Sequence, residues 1–173
     1  MSYKSDTIAT VLKRLNVNYF LPAIQREYVW HQDQIIQLFD SIMRNYPVGS
    51  FLFWELDQDS RDKWDIYQFV QNYNQDKTHN AQATTEGVQQ LTLVLDGQQR
   101  LTSLLIGLKG TYTIKKKYLK WSDPNAWVKQ CLYLDLLKDP KISEDDTEEG
   151  IRFDFRFFEK APDPDTKHYW FKV

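Results

Sequence analysis

Apolar positions along the chain switch between helical and strand spacing, and the switches mark out its elements. After Ser5-Asp6-Thr7, which are good helix N-caps, Ile8, Val11, Leu12 and Leu15 recur at i, i+3, i+4 and i+7 and predict a helix that Asn16 and Asn18 close. Tyr19-Phe20-Leu21-Pro22 reads as extended, because the residue before a proline is pushed out of the helical region. A second helix is expected from Gln32 to Tyr46, with Ile35, Leu38, Phe39, Ile42, Met43 and Tyr46 as its buried stripe and Pro47 as its stop. The run from Gly49 to Leu56 predicts a strand buried on both faces. Residues 57–86 are polar, with one short strand expected from Ile66 to Val70 and a loop after it.

The pattern sharpens at Gln90–Leu95, a strand followed by the turn Asp96-Gly97 and a helix from Gln98 to Lys109. Leu101, Leu104, Leu105 and Leu108 form the apolar face of that helix, and Gly110 is expected as its C′ residue. Strands are then expected at Thr111–Ile114, Cys131–Leu136, Ile151–Phe158 and His168–Val173, with the acidic stretch Lys138–Glu149 as a solvated loop. No internal repeat is visible. The expected fold class is α+β, a single domain over residues 1–173 with its core in 7–109 and a β-rich extension in 110–173. The apolar Tyr169–Val173 ends without a polar tail, so the chain is expected to continue into a longer protein.

Composition supports a packed core: hydrophobic residues make up 42% of the 173 and aromatics 15%. That excludes disorder throughout the chain. The 22 Lys and Arg nearly balance 24 Asp and Glu. A domain that wraps duplex DNA non-specifically carries a basic excess. Nucleic-acid contact here must therefore be local or completed by another domain. Cys131 is the single cysteine, which rules out an internal disulfide framework and fits a reducing, cytoplasmic compartment. No signal peptide and no run of 18 apolar residues is present, so a soluble protein without membrane contact is expected.

A strand that ends in a glycine turn and enters a helix is a common anion site, because first-turn N–H groups lack helical acceptors and the helix dipole adds positive charge. Gly97 allows the sharp turn and close approach. Gln98 and Gln99 offer amide donors, and Arg100 can fork two hydrogen bonds onto a phosphate. Asp96, at the carboxyl end of the strand, could hold a metal or a ribose hydroxyl, or cap the helix. On spacing alone a purely structural reading has more weight: Asp96 as N-cap, Gly97 as turn, both Gln residues exposed. In Pro22–Trp30, Gln25 and Arg26 repeat the amide-plus-guanidinium chemistry, and Tyr28 and Trp30 could stack on a base or sugar. The structural alternative makes Tyr28 and Trp30 core residues. Lys115, Lys116, Lys117 and Lys120, among Tyr112, Tyr118 and Trp121, are compatible with nucleic acid but read as a solvated hairpin. His31, His79 and His168 show no metal-ligand spacing. Asp139-Pro140-Lys141 and Asp165-Thr166-Lys167 match a nuclease triplet only formally, since both lie in proline-containing loops.

Together the two constellations resemble a known family. Leu21-Pro22-x-x-Gln25-Arg26-x-Tyr28-x-Trp30 is similar to an I-P-x-x-Q-R-x-Y-x-W box, and Val94–Leu104 to a V-L-D-G-Q-Q-R-L-T-T-L box; Pro47-x-Gly49-Ser50 also fits. These are features of the N-terminal domain of GmrSD-type, modification-dependent (type IV) restriction endonucleases, distantly similar to ParB and sulfiredoxin. Leu21 and Ser103 are its small departures. The resemblance implies a ParB/sulfiredoxin-like mixed sheet with flanking helices, in which the DGQQR turn binds an NTP with a divalent cation, Mg²⁺. It implies NTP hydrolysis that licenses DNA cleavage by a separate C-terminal nuclease domain in the full-length protein. Carried over by residue, Gln25, Arg26, Gly97, Gln98, Arg100 and Thr102 would bind nucleotide phosphates, and Asp96, Gln99 and Arg100 would be catalytic, with Asp96 also placing the metal. A second reading makes the pocket a ParB-like DNA nuclease or modified-DNA sensor, and a third a non-catalytic interaction module.

Overall fold

The computed structural model describes residues 3–24, 26–138 and 150–173. Gln25, most of the acidic stretch 138–149 and the Asp139-Pro140-Lys141 triplet lie outside them. The elements run α1 (Ile8–Arg14), β1 (Tyr19–Pro22), α2 (Gln32–Met43), β2 (Leu52–Leu56), β3 (Ile66–Tyr67), β4 (Asn72–Asn74), β5 (Leu91–Asp96), α3 (Gln98–Lys109), β6 (Thr111–Lys115), β7 (Trp127–Asp135), β8 (Phe155–Phe158) and β9 (Trp170–Lys172). The class is α+β. None of the described helices is long and apolar enough to cross a membrane.

One sheet has the order β2-β5-β1-β3 and the other β4-β6-β7-β8, with β9 also paired to β7. β5 is central, and its period-2 alternation fills both sides. Leu91 and Leu93 join Phe20, Leu56 and Ile66 in one apolar cluster, while Val94 points into the other with Leu101, Leu104 and Leu105 of α3. The strand buried on both faces is thus β5 rather than the Gly49–Leu56 run. β2 is shorter than expected and lies at the sheet edge, pairing with β5, and Leu52 and Trp54 are exposed. An apolar run reports strand tendency, but the sheet order decides which strand is covered.

Other differences have local causes. α2 stops at Met43 because Asn45 turns left-handed (φ 58°) and the Tyr46 N–H bonds back to the Ser41 carbonyl. Met43 and Tyr46 therefore leave the buried stripe and are exposed. Only Ile66–Tyr67 of the expected Ile66–Val70 strand pairs as one, and β4 arises in the polar stretch, where Tyr73 is its buried residue. Gly110 is extended at φ −121°, not left-handed; a side chain there would collide with the backbone carbonyl of Gln71.

Two buried aspartates fasten the C-terminal part. Asp40 on α2 accepts the N–H groups of Arg152 and Phe153 at 2.9 and 2.8 Å and pairs with Arg44. Asp135, at the end of β7, accepts from the Tyr169 N–H at 2.9 Å, the Leu137 N–H at 3.1 Å and His168 Nδ1 at 2.6 Å.

Two expected outcomes follow from this packing. Gly107 of α3 sits against the Phe39 ring, which a methyl group would strike. Gly107→Ala should cost about 1–3 kcal/mol by overpacking, read as a lower urea midpoint at unchanged slope. For Asp135, burial alone would push the carboxyl pKa up, but His168 and the two backbone N–H groups outweigh it and hold the pKa below its ordinary value. A depressed folded pKa contributes stability above the unfolded value of about 4, and that stability is lost as pH falls through the folded pKa. The gap in urea midpoint between the wild type and Asp135→Asn should therefore be widest near neutrality and narrow below about pH 4.

Candidate functional site

Sheet topology brings the two sequence boxes together. β1 and β5 are parallel neighbours, with Tyr19 opposite Thr92 and Phe20 opposite Leu93. Their chains therefore leave the sheet at the same edge, one into residues 23–30 and the other into Gly97 and α3. β2 runs antiparallel to β5 with Leu52 opposite Asp96, so the turn 47–51 arrives at that edge too. Carboxyl ends of strands are where open sheets place ligands.

The turn between β5 and α3 depends on glycine. Gly97 is the N-cap of α3 at φ 86°, and a side chain there would also strike the Phe51 ring. It supplies no capping side chain, so the first-turn N–H groups of α3 face this edge without one. Asp96 does not cap the helix. Its carboxylate is largely exposed and lies 3.3 Å from Arg100 Nη2.

The next three residues bind the chain to itself. Gln98 is buried, and its amide donates to the Val94 carbonyl at 2.7 Å. Gln99 makes a two-point clamp on the first box: its Oε1 accepts the Val29 N–H at 3.0 Å and its Nε2 donates to the Glu27 carbonyl at 3.0 Å. Arg100 does the same to the 47–51 turn. It donates to the carbonyl of Val48 and, at 2.9 Å, to that of Ser50, while its guanidinium lies 4.8 Å from the centre of the Phe51 ring. Gly49, at φ 83°, permits this approach, since a Cβ would meet Arg100 Nη1 at 2.5 Å.

These contacts change the expected roles. Gln98 presents its amide to Val94 rather than to a ligand. Thr102 is buried at 3% exposure on the inner side of α3, where it faces the core rather than a phosphate. Tyr28 is not a stacking platform: it is 3% exposed, packs edge-on to Tyr73 at 5.4 Å and shares a 2.8 Å hydrogen bond with Ser103. Burial pushes its hydroxyl pKa up. Trp30 is half-buried against the same core, and its carbonyl accepts from the Tyr112 hydroxyl. The apolar spacing in this box marks packing.

Arg26 remains exposed. With Glu27 it lines a pocket of about 370 Å³, together with Leu21, Pro22, Tyr67, His79 and Asn80. Glu27 accepts from the Thr78 hydroxyl at 2.8 Å and pairs with His79 Nδ1. The Thr78 hydrogen bond first, and His79 second, hold its carboxyl below the usual range. Sequence reading missed Glu27, Thr78, His79 and Asn80. The last three come from the polar stretch between β4 and β5, and no local spacing signals their meeting with Glu27. Among the described residues no three His, Cys, Asp or Glu side chains converge as metal ligands.

The clamps should be measurable. Arg100→Lys replaces a planar fork with a point charge that cannot hold both carbonyls, and should lower stability by about 1–3 kcal/mol. Gln99→Glu loses the donor to Glu27 and should cost a similar amount, whereas the exposed Asp96→Asn should cost little. Equal urea midpoints for all three variants would remove the clamp.

Residues 8–170 match the family model described as the GmrSD restriction endonuclease, N-terminal domain. The chain is also similar to an uncharacterised protein of Methanocaldococcus jannaschii, 34% identical over 89 residues, which are 51% of this chain and 14% of that protein. This chain thus spans only a small part of its relative's length. With the family model covering nearly every residue, the chain belongs to the GmrSD restriction endonuclease N-terminal domain family.

Proposed function

We propose that the chain is a nucleotide-binding, NTP-hydrolysing domain that regulates DNA cleavage by a separate C-terminal nuclease domain of a cytoplasmic restriction protein. The observation that supports this most is the convergence of the 23–30 segment, the 47–51 turn and the amino end of α3 at one sheet edge. First-turn N–H groups without a side-chain cap suit a phosphate. The exposed Arg26 would meet phosphate oxygens, and the pocket it lines has the size of a small-ligand site. Asp96 would receive Mg²⁺ with the nucleotide and orient water. Gln99 and Arg100 act as positioning residues, which hold the two flanking segments in place. Phosphoryl transfer asks chiefly for such positioning and charge.

Thermal-shift titration with the four NTPs and Mg²⁺ tests the reading. At 100 times Kd a nucleotide adds about 2.7 kcal/mol, so a clear upward shift is expected for the wild type. Arg26→Ala should keep the ligand-free melting temperature and lose most of the shift. Asp96→Asn should retain nucleotide binding while phosphate release falls at least tenfold. A wild type that no NTP stabilises would overturn the proposal.

A further inference from the structure

The hairpin joining β6 to β7 is built as a basic and aromatic projection, and neither the family match nor the proposed nucleotide site accounts for it. Residues 111–130 carry Lys115, Lys116, Lys117, Lys120 and Lys129 against Asp123 alone, while the whole chain has a formal charge of −2. The rest of the protein is thus at −6, and this hairpin stands out against it as a basic segment. Lys116, Lys117, Lys120 and Lys129 are exposed and pair with no carboxylate among the described residues. Lys115 turns inward instead, with its ammonium donating to the carbonyls of Leu119 at 2.7 Å and Lys116 at 3.2 Å and lying 5.5 Å from the Trp121 ring centre. It shapes the loop and leaves the other lysines outside.

The tip has a second unusual feature. Tyr118 is fully exposed and sits at φ 67°, a left-handed conformation that a bulky side chain rarely adopts. A solvated loop has no reason to keep an aromatic ring there, since Asn or Gly would relieve the backbone and the exposed ring gains no packing. Trp121, half-exposed, packs edge-on against Trp127 at 5.3 Å.

The hairpin also lies on the side of the candidate site. The Lys115 N–H donates to Gln75 Oε1 at 3.1 Å, and Gln75 precedes by a few residues the Thr78 and His79 that bind Glu27. Gln130, opposite Tyr112 in the hairpin, bonds to Gln32 just beyond the first box.

We infer that this hairpin is a nucleic-acid contact: Lys116, Lys117, Lys120 and Lys129 meet backbone phosphates, and Tyr118 offers its ring to a base or sugar. The charges are spread over flexible stems, which suits backbone contact without sequence readout. An anionic membrane would also attract lysines. However, Leu119 is the sole aliphatic residue in 115–121 and Trp121 is engaged by Trp127 and Lys115, which leaves little beyond Tyr118 to seat the tip in lipid.

Fluorescence anisotropy of the 173-residue chain with labelled random-sequence duplex and single-stranded DNA, over a range of salt, tests this. The wild type should bind with a steep salt dependence. Lys116→Gln/Lys117→Gln/Lys120→Gln should weaken binding at least tenfold and reduce the log–log salt slope by about 2–3, since each neutralised phosphate accounts for about 0.7–0.9 of that slope. The matching triple Arg variant should restore both. Tyr118→Gly should raise the melting temperature by relieving the backbone, yet weaken binding to single strands. Unchanged affinity and slope in the Gln variant would overturn the inference, as would wild-type binding to phosphatidylserine vesicles with none to DNA. None of these readouts involves an NTP, so they stand apart from the test of the nucleotide site.

Discussion

The geometry of the candidate site depends on two side chains at the start of one helix. Gln99 and Arg100 each close a two-point clamp on backbone that is remote in sequence, Gln99 on residues 27–29 and Arg100 on residues 48–50. An amide with one acceptor and one donor matches an N–H and a C=O of an extended segment, much as a neighbouring strand would. A guanidinium fork matches two carbonyls of a tight turn. Loops at a sheet edge otherwise have no ladder to order them, so these four hydrogen bonds take the place of the missing strand.

The clamps work because glycine stands at both places where backbone and side chains crowd. Gly97 lets β5 turn into α3 beneath Phe51, and Gly49 lets the turn before β2 lie against the guanidinium. The tyrosine-rich layer behind does the rest. Tyr28, Tyr73, Tyr112 and Phe157 pack in sequence from the first box to the second sheet, and the Tyr28 hydroxyl is tied to Ser103 of α3. The first box is thus held by a buried aromatic from below and by Gln99 from the side, which leaves Arg26 and Glu27 to face outward.

This division of labour explains why a motif of polar residues is mostly inward-facing. Amides and guanidinium groups are the natural choice for phosphate, but they are equally suited to backbone carbonyls and N–H groups. Which they meet is set by the neighbouring chain, not by their own chemistry. In this fold Gln98, Gln99 and Arg100 hold protein, and the charged groups of the two boxes turned to solvent are Asp96 and Arg26.

The order of residues alone settles the α+β class, the presence of α1, α2 and α3, the strand–glycine–helix turn at Asp96-Gly97 and the pairing of two motif boxes with a family. Each of these rests on local periodicity or on a residue type whose backbone preference is strong. It did not determine that β5, rather than the equally apolar Gly49–Leu56 run, is central, because coverage of a strand depends on which strands flank it. Nor could it separate Tyr28 as core from Tyr28 as ligand platform, since an aromatic suits both and burial is set by Tyr73 and Ser103. The side chains Thr78 and His79 that hold Glu27 were invisible for the same reason: 51 and 52 residues separate them from Glu27. The antiparallel pairing of β1 with β3, and the hydrogen bonds that residues 80–83 make to residues 66–68, bring these distant segments together, and pairings between distant strands are set by the packing of the whole chain.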